Sequence, residues 1–573
     1  MFTVDEILEQ HYPALKKKHL LSSVLRPLLR HILHEKVFTS FAREFPWLQG
    51  IEFVEGVLDY FGFSYSVDDR QRENIPASGK VIIIANHPIG SLDGLALLQL
   101  IYGIRTDVKI VANNMLMALQ PLRPMLLPVD NMHAKSRKEA LQNISDSLNN
   151  DHAVIFFPAG EVSRLQPRGI VDGRWHSGFL KFATQTHSPI LPIHIAGHNS
   201  ALFYAASIVA KPLSTLMLVG EMVKQRNKRI KLTIGAIISD KTLSSLDLPR
   251  AEVCELLSKH LYRIGRNQKG LLKTENAIAR GERKSELKNA IGDGELLGRT
   301  PDGKKVYLFQ PNGPSPLMRE VGRLREETFR AVGEGTGMRR DIDKFDQYYQ
   351  HLILWDEDDL EIAGAYRFAN SAKIRQERGI KGLYSATLFE YEEKHSWFLD
   401  SGMELGRSFV QQRYWGKRSL DYLWYGIGAW IRKNPQTRYL FGPVSISNSM
   451  PVLARDLMVY FYCLYFKGSA EESCSRTPFR YKANMAILEK EFTGGNYRAD
   501  FTRLKALLAN LGTAVPPLYK QYTELCDPGG ALFLDFNVDP DFGNCVDGLV
   551  IVDIEHIKKK KKKRYIENSS CLQ

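Results

Sequence analysis

From Val81 to Ile238, short β-branched runs alternate with segments whose apolar residues recur at helical spacing. VIIIA (81–85), VKIVAN (108–113), AVIFF (153–157), PILPIHIA (189–196) and IKLTIGAII (230–238) read as strands. LDGLALLQLIYGI (92–104), SRKEALQNISDSLNN (136–150) and GFLKFATQT (178–186) read as helices. Strands separated by helices predict an α/β layer structure. A second series begins near Lys304, with KKVYLF (304–309), HLILWD (351–356) and EIAGAYRFA (361–369) as strands. GLYSATLFEY (382–391) reads as a further strand beside AGAYRFA (363–369), while 317–332 and 419–433 carry helical patterns.

Between the two series, 265–298 is charged and poor in large apolar residues, which predicts an inter-domain linker over 266–294. The expected organisation is a helical, membrane-facing segment (1–75), an α/β domain (76–265), that linker, a second α/β domain with a C-terminal extension (295–557) and a polybasic tail (558–573). The chain's 573 residues accommodate two to four domains of about 100–200 residues each. No internal repeat is visible.

Composition adds constraints. The 77 Lys+Arg against 64 Asp+Glu give a net charge of +13, which favours an anionic partner: nucleic acid, an anionic membrane or an acidic protein. No nucleic-acid-binding motif is present, and the basic residues are scattered or confined to the tail. Six cysteines without a CxxC pair point to a reducing compartment and no zinc site. The N-terminus lacks the pattern of a signal peptide, and the apolar stretch 201–220 is broken by Lys211 and Pro212, so a cytoplasmic protein is expected. The basic amphipathic segment 16–38 fits either a membrane surface or a helix packed on the first domain. Lys558–Arg564 fits either an anionic bilayer, at about 1 kcal/mol per charge, or a solvated tail.

Candidate chemistry begins at NHPIGSLDG (86–94), a strand-to-helix junction bent by Pro88 and Gly90. His87 falls just past the sheet and Asp93 in the next helix's first turn. A carboxylate on one imidazole nitrogen leaves the other to take a proton from a hydroxyl, a general-base dyad needing no metal. The alternative is that Asp93 caps the helix and His87 is a junction residue. At FPAGEVSR (157–164) another strand runs into a turn that carries Gly160, Glu161 and Arg164, suited to an anionic substrate group.

With WHSGFLKFA (175–183) and SPILPIHI (188–195), these elements resemble the glycerolphosphate and lysophosphatidate acyltransferase family. The resemblance implies that His87 and Asp93 are catalytic and that Gly160, Glu161 and Arg164 bind substrate. Five residues separate His87 from Asp93, one more than the family's usual spacing, and Ala159 stands where the family has Glu. Arg137 is a candidate for the family's second-block arginine. These departures point to an acceptor other than glycerol phosphate.

In the second half, RLREETFRAVGEGTGMRRDIDKFD (323–346) places Asp341, Asp343 and Asp346 within six residues. They form either a solvated loop or a site for an amine. MELGRSFVQQRYWGKRS (403–419) follows, with Arg413, Gly416 and Lys417 before a helix, a pattern suited to cradling a phosphate. Together with YRF (366–368) these segments resemble the ornithine N-acyltransferases of the GNAT superfamily, themselves similar to acyl-homoserine-lactone synthases. The resemblance implies Glu404 as the group that manages the amine's proton or binds the amine, with Arg367 and Arg407 as its ion-pair partners. It implies Asp343 and Asp346 for gripping a cationic amino acid, and Arg413, Gly416 and Lys417 for the acyl donor. The plain alternative for Glu404 is a structural ion pair between strands.

Joined, the halves resemble the bifunctional bacterial ornithine lipid synthases. The fold expected is two tandem α/β domains, the first glycerolphosphate-acyltransferase-like and the second GNAT-like. The activity implied is N-acylation of ornithine with a 3-hydroxyacyl group, then O-acylation of the lyso-ornithine lipid. No bound cofactor or metal is implied. The donor would be acyl carrier protein loaded with an acyl thioester, and the enzyme would lie on the inner face of the bacterial inner membrane. Rival readings are a lysophospholipid acyltransferase with a non-catalytic second domain, a scaffold using the basic charge, and an aminolipid made from glycine or serine.

Overall fold

The computed structural model describes residues 30, 34–113, 116–117, 119–129, 134–167, 169–209, 211–392, 396–468 and 474–567. Most of the basic segment 16–38, the Arg137 side chain, Cys571 and the last part of the tail lie outside the described residues. The chain forms two compact units, Met1–Arg280 and Gly281–Gln573.

The first unit contains strands β1 (Ser64–Ser66), β2 (Val81–Ala85), β3 (Val108–Asn113), β4 (Leu126–Val129), β5 (Ala153–Phe156), β6 (Arg164–Gln166), β7 (Gly169–Val171), β8 (Ile190–Ala196) and β9 (Arg229–Ile234). Seven of them form one sheet, ordered β1-β9-β8-β2-β5-β3-β4, and β6 and β7 make a separate hairpin. Central β2 is buried throughout. Its Val81, Ile83 and Ala85 pack with helix α1 (Ser91–Tyr102), and its Ile82 and Ile84 pack with helices Gly178–Thr186 and Arg250–Gly265 on the opposite face. Burial on both faces explains why this strand is a continuous apolar run rather than an alternating one. β2 is parallel to β5 and β8, so three strands release their chains at one edge, where open α/β sheets hold their ligands.

Two boundaries differ from expectation. Residues 1–75 are not solely helical, because β1 pairs with β9 and completes the sheet edge. The charged stretch 266–294 is not a free connector: Glu275 exchanges backbone hydrogen bonds with Ile237, Ala277 is buried in the first unit, and helix Lys284–Ile291 buries Leu287 and Ile291 in the second. Its few apolar residues are enough to anchor each half.

The second unit contains β10 (Glu295–Arg299), β11 (Lys305–Phe309), β12 (Gln350–Asp356), β13 (Glu361–Asn370), β14 (Phe389–Glu390), β15 (Gly402–Val410), β16 (Tyr439–Ile446), β17 (Cys474–Ser475), β18 (Ala531–Asp539) and β19 (Cys545–Asp553). Its eight-stranded sheet is ordered β10-β11-β12-β13-β15-β16-β19-β18, and β14 pairs with β17 apart from it. Helix α2 (Pro316–Ala331) packs Leu317, Val321 and Leu324 on one face. Helix α3 (Ser419–Lys433) packs Leu423, Ile427 and Trp430 on the other.

The strand expected over 382–391 beside β13 is not there. β13 lies between β12 and β15, and residues 380–387 form two tight turns. The reason is local: Tyr384 N and Ser385 N donate to the Glu404 carboxylate instead of to a neighbouring strand.

The basic tail is docked over its described part. Tyr565 is buried, its hydroxyl donates to Asp421 at 2.7 Å, and Arg564 pairs with the same carboxylate. Gly428 of α3 admits this approach, since a Cβ there would lie 1.8 Å from Tyr565 O. Among the described residues no helix is long and apolar enough to cross a membrane.

Candidate active sites

The end of β2 turns sharply, with Gly90 at φ 123°, before α1 begins. Asp93, fully buried in the first turn, accepts Ile89 N at 2.8 Å and Gly90 N at 3.1 Å through Oδ2. The same oxygen stands 3.3 Å from His87 Nδ1. The imidazole is partly exposed and stacks on Phe157, ring centroids 4.1 Å apart. Asp93 therefore holds Nδ1 from inside the protein while the ring keeps an outer edge for a substrate hydroxyl.

The loop after β5 closes on this histidine. Gly160 adopts φ 67° and its N–H donates to Phe157 O at 3.0 Å. Ser163 N donates to His87 O at 2.7 Å. Arg164 follows, its Nη2 3.4 Å from Glu161 Oε2 and its guanidinium 5.6 Å above the Phe203 ring. The residues expected to act together in this unit, His87, Asp93, Gly160, Glu161 and Arg164, thus come from two neighbouring strand ends.

A second carboxylate fastens the arrangement. Asp172 Oδ1 accepts His87 N at 3.2 Å and Ser163 Oγ at 2.5 Å, and Oδ2 accepts Trp175 Nε1 at 3.1 Å. Burial raises its pKa above the usual carboxylate value. The Trp of WHSGFLKFA is thereby tied to the histidine through one side chain.

In the second unit Asp341 and Asp346 are buried and Asp343 is partly exposed. Asp346 Oδ1 pairs with Arg325 Nη1 at 2.7 Å and Arg367 Nη1 at 3.2 Å. Burial alone would raise its pKa, but the Arg325 and Arg367 charges outweigh that and hold it below the usual carboxylate range. Asp343 Oδ1 pairs with Arg367 at 2.6 Å and also caps the turn at Lys344–Gln347. Asp341 Oδ2 lies 3.1 Å from Arg407 Nε. The three acids thus face arginines of the chain itself.

Glu404 also differs from its expected surroundings. Its partners are the Tyr349 hydroxyl, Tyr384 N at 3.2 Å and Ser385 N at 2.6 Å, not Arg367 or Arg407. Burial, and then the Glu404 charge, push the Tyr349 hydroxyl well above its ordinary pKa. The carboxylate pins the 384–385 turn to the sheet.

β15 and β16 are the parallel pair of this sheet, and they pair only from Gly402–Glu404 with Tyr439–Phe441. Beyond that they part. Burial lapses where they diverge: Gly406, Arg407 and Ser408 on one strand, Pro443 and Ser445 on the other, become partly exposed. Arg407 adopts φ 49° inside a bulge against β13, and its guanidinium lies 4.7 Å from both the Tyr384 and Phe542 rings. The result is a cleft with unpaired strand edges, suited to the amide-bearing arm of a pantetheine thioester.

The β15 end leads to Arg413, Gly416 and Lys417, just before the N-terminus of α3, which has no side-chain cap. Gly416 turns at φ 72°. Arg413 pairs with Asp359 and, at 2.8 Å, with Glu361, so its charge is already matched. The helix N–H groups at this end and Lys417 are therefore the groups here suited to a phosphate.

Comparison with known proteins agrees with both halves. Residues 6–267 match the family described as Acyltransferase, and residues 324–425 match the Acetyltransferase (GNAT) domain. The glycine N(alpha)-acyltransferase of Bacteroides thetaiotaomicron is 30% identical over 48% of this chain and 85% of its own length. The chain belongs to the aminolipid acyltransferase family. A lyso-glycine lipid O-acyltransferase of Phocaeicola vulgatus is 28% identical over 46% of this acyltransferase and 95% of its own length. An L-ornithine N(alpha)-acyltransferase of Brucella abortus is 29% identical over 44% and 92%.

Asp172, Tyr349, Tyr384 and Asp547 escaped the sequence reading of this acyltransferase. Asp547 carried a faint signal, an acid within the otherwise apolar strand CVDGLVIVD. Asp172 carried less, standing among Gly, Val and Trp in a loop.

Proposed function

We propose that this chain is a bifunctional aminolipid synthase. The second unit joins a 3-hydroxyacyl group to the α-amine of an amino acid, and the first unit then acylates the 3-hydroxyl of that lyso-lipid. In the O-acylation His87 takes the hydroxyl proton, Asp93 steadies the imidazolium, and the alkoxide oxygen attacks the second acyl thioester. The observation that carries this reading is the His87–Asp93 pair, 3.3 Å apart, in the same chain as a parted β15–β16 strand pair. Relatives named separately for N-acylation and O-acylation support it. Acyl carrier protein is the proposed donor, an acidic partner for a chain of net charge +13. The same charge favours a peripheral place on the inner face of the bacterial inner membrane.

Glycine is the head group we favour. Asp343 and Asp346, the acids expected for a cationic side chain, are occupied by Arg325 and Arg367. Ornithine is the second reading, supported by the relatives named for it.

The test is mass spectrometry of total lipids from a host without aminolipids that expresses this chain. A phosphorus-free lipid with two acyl chains and a glycine fragment is the expected result. An ornithine fragment selects the second reading. Acylation of lysophosphatidate with no new aminolipid would overturn the proposal.

A further inference from the structure

Asp547 lies on β19 directly opposite Ser445 of β16, on the wall of the cleft that opens where β15 and β16 part. It is buried, 3% exposed. Oδ1 accepts Ser445 Oγ at 2.7 Å, while Oδ2 meets, among the described residues, only the Cys545 thiol at 3.7 Å. Of the other acids of this face, Asp341, Asp343 and Asp346 face arginines and Glu404 accepts from three donors, while Asp539, also buried, accepts Asp541 N at 2.9 Å. A buried carboxylate oxygen without an N–H or O–H donor is costly, unless a ligand supplies one. Ser445, half-buried, connects it to the cleft.

We infer that Asp547 receives the α-amino group of the amino acid and takes its proton during N-acylation. The assignment rests on the N-acyltransferase reading above. As the neutral amine attacks the thioester carbonyl carbon, the C–N bond forms and the C–S bond breaks. The proton leaving nitrogen passes to Asp547 and on to the departing sulfur, giving an amide, a thiol and the carboxylate again.

The surroundings suit a base that works near neutrality. Burial pushes the Asp547 carboxyl up to about 6, the Ser445 hydrogen bond opposing and Asp539 adding to the rise. Arg407 from β15 pulls it down. Cys545 on its own strand, Tyr384 from the turns and Tyr519 beneath the sheet also feel its charge, and Glu334 faces Cys545.

The experiment follows thiol release and N-acyl product with the full chain, 3-hydroxyacyl thioester of acyl carrier protein, and glycine or ornithine across pH 5–9. Asp547→Asn is expected to lose about 10²- to 10⁴-fold in kcat with both amino acids, and Asp547→Glu to recover part. Ser445→Ala leaves the base but removes its hydroxyl donor, so the acid limb of the wild-type profile, near pH 6, should move to higher pH. An unchanged kcat in Asp547→Asn, an unmoved limb in Ser445→Ala, or a loss confined to ornithine would overturn the assignment. A wild-type chain that releases no thiol with either amino acid overturns the N-acyltransferase reading itself, and the assignment falls with it.

Discussion

Asp93 Oδ2 stands 3.3 Å from His87 Nδ1 while accepting the backbone N–H groups of Ile89 and Gly90. One carboxylate caps a helix and orients an imidazole, so the two alternatives open in the sequence are a single arrangement. His87→Ala is expected to lower O-acylation by about 10²- to 10⁴-fold and to let the lyso-lipid accumulate. Asp93→Ala should do the same and also destabilise the first unit, at about 1–3 kcal/mol for each of the two buried N–H groups left without an acceptor. Acyl transfer to purified lyso-lipid, paired with thermal melts, separates the two effects.

Asp172 is expected to act on O-acylation through His87. Its Oδ1 holds both the His87 N–H and the Ser163 hydroxyl, and Ser163 N holds the His87 carbonyl. Asp172→Asn should reduce kcat for O-acylation about tenfold, the size expected for one weakened hydrogen bond to a charged group, and leave KM for the lyso-lipid near wild type. Equal losses in kcat/KM and in melting temperature, with kcat unchanged, would contradict a positioning role.

Glu404→Ala leaves the Tyr349 hydroxyl and the N–H groups of Tyr384 and Ser385 without their acceptor. At about 1–3 kcal/mol for each unsatisfied buried group, the second unit should melt several degrees lower. Glu404→Gln should lose less, because one oxygen still accepts. Calorimetry of both variants tests this; a Gln variant that melts like wild type yet shows no N-acylation would point to proton transfer at Glu404.

His351 is fully buried beside Arg325, 3.2 Å from its Nη2. Burial, reinforced by the Arg325 charge, lowers its pKa from 6.5 to about 3. A depressed folded pKa means that the stability is present above pH 6.5 and is lost as pH falls toward 3. At pH 4 the wild-type chain should have lost roughly 3 kcal/mol on this account. The stability deficit of His351→Asn at pH 7.5 should therefore shrink at pH 4, as read by urea denaturation. A deficit that does not change with pH would refute the assignment.

Much of the first unit was legible. The all-apolar run at 81–85 marked a strand buried on both faces, and its position before a Pro- and Gly-bent turn marked where His87 emerges. Asp172 was not legible, because its partners His87, Ser163 and Trp175 are joined by no local pattern. In the second unit YSATLFEY had a strand's composition, yet Ser385–Thr387 became a turn once Glu404 supplied an acceptor for its backbone, and only Phe389–Glu390 pairs, with β17.

The sequence by itself determined the α/β layering, the paired acyltransferase halves and the histidine with its aspartate. The layering and the neighbouring His87 and Asp93 rest on periodicity and spacing within a few residues, which the covalent chain imposes, and the acyltransferase halves rest on the resemblance of their motifs to known families. Only the tertiary structure decided which arginine neutralises which carboxylate and which acid stays open. Arg325 meets Asp346 across 21 residues, and Ser445 meets Asp547 across 102. Buried charges are matched by distance in space and by the dielectric around them, and neither is written in the order of the residues.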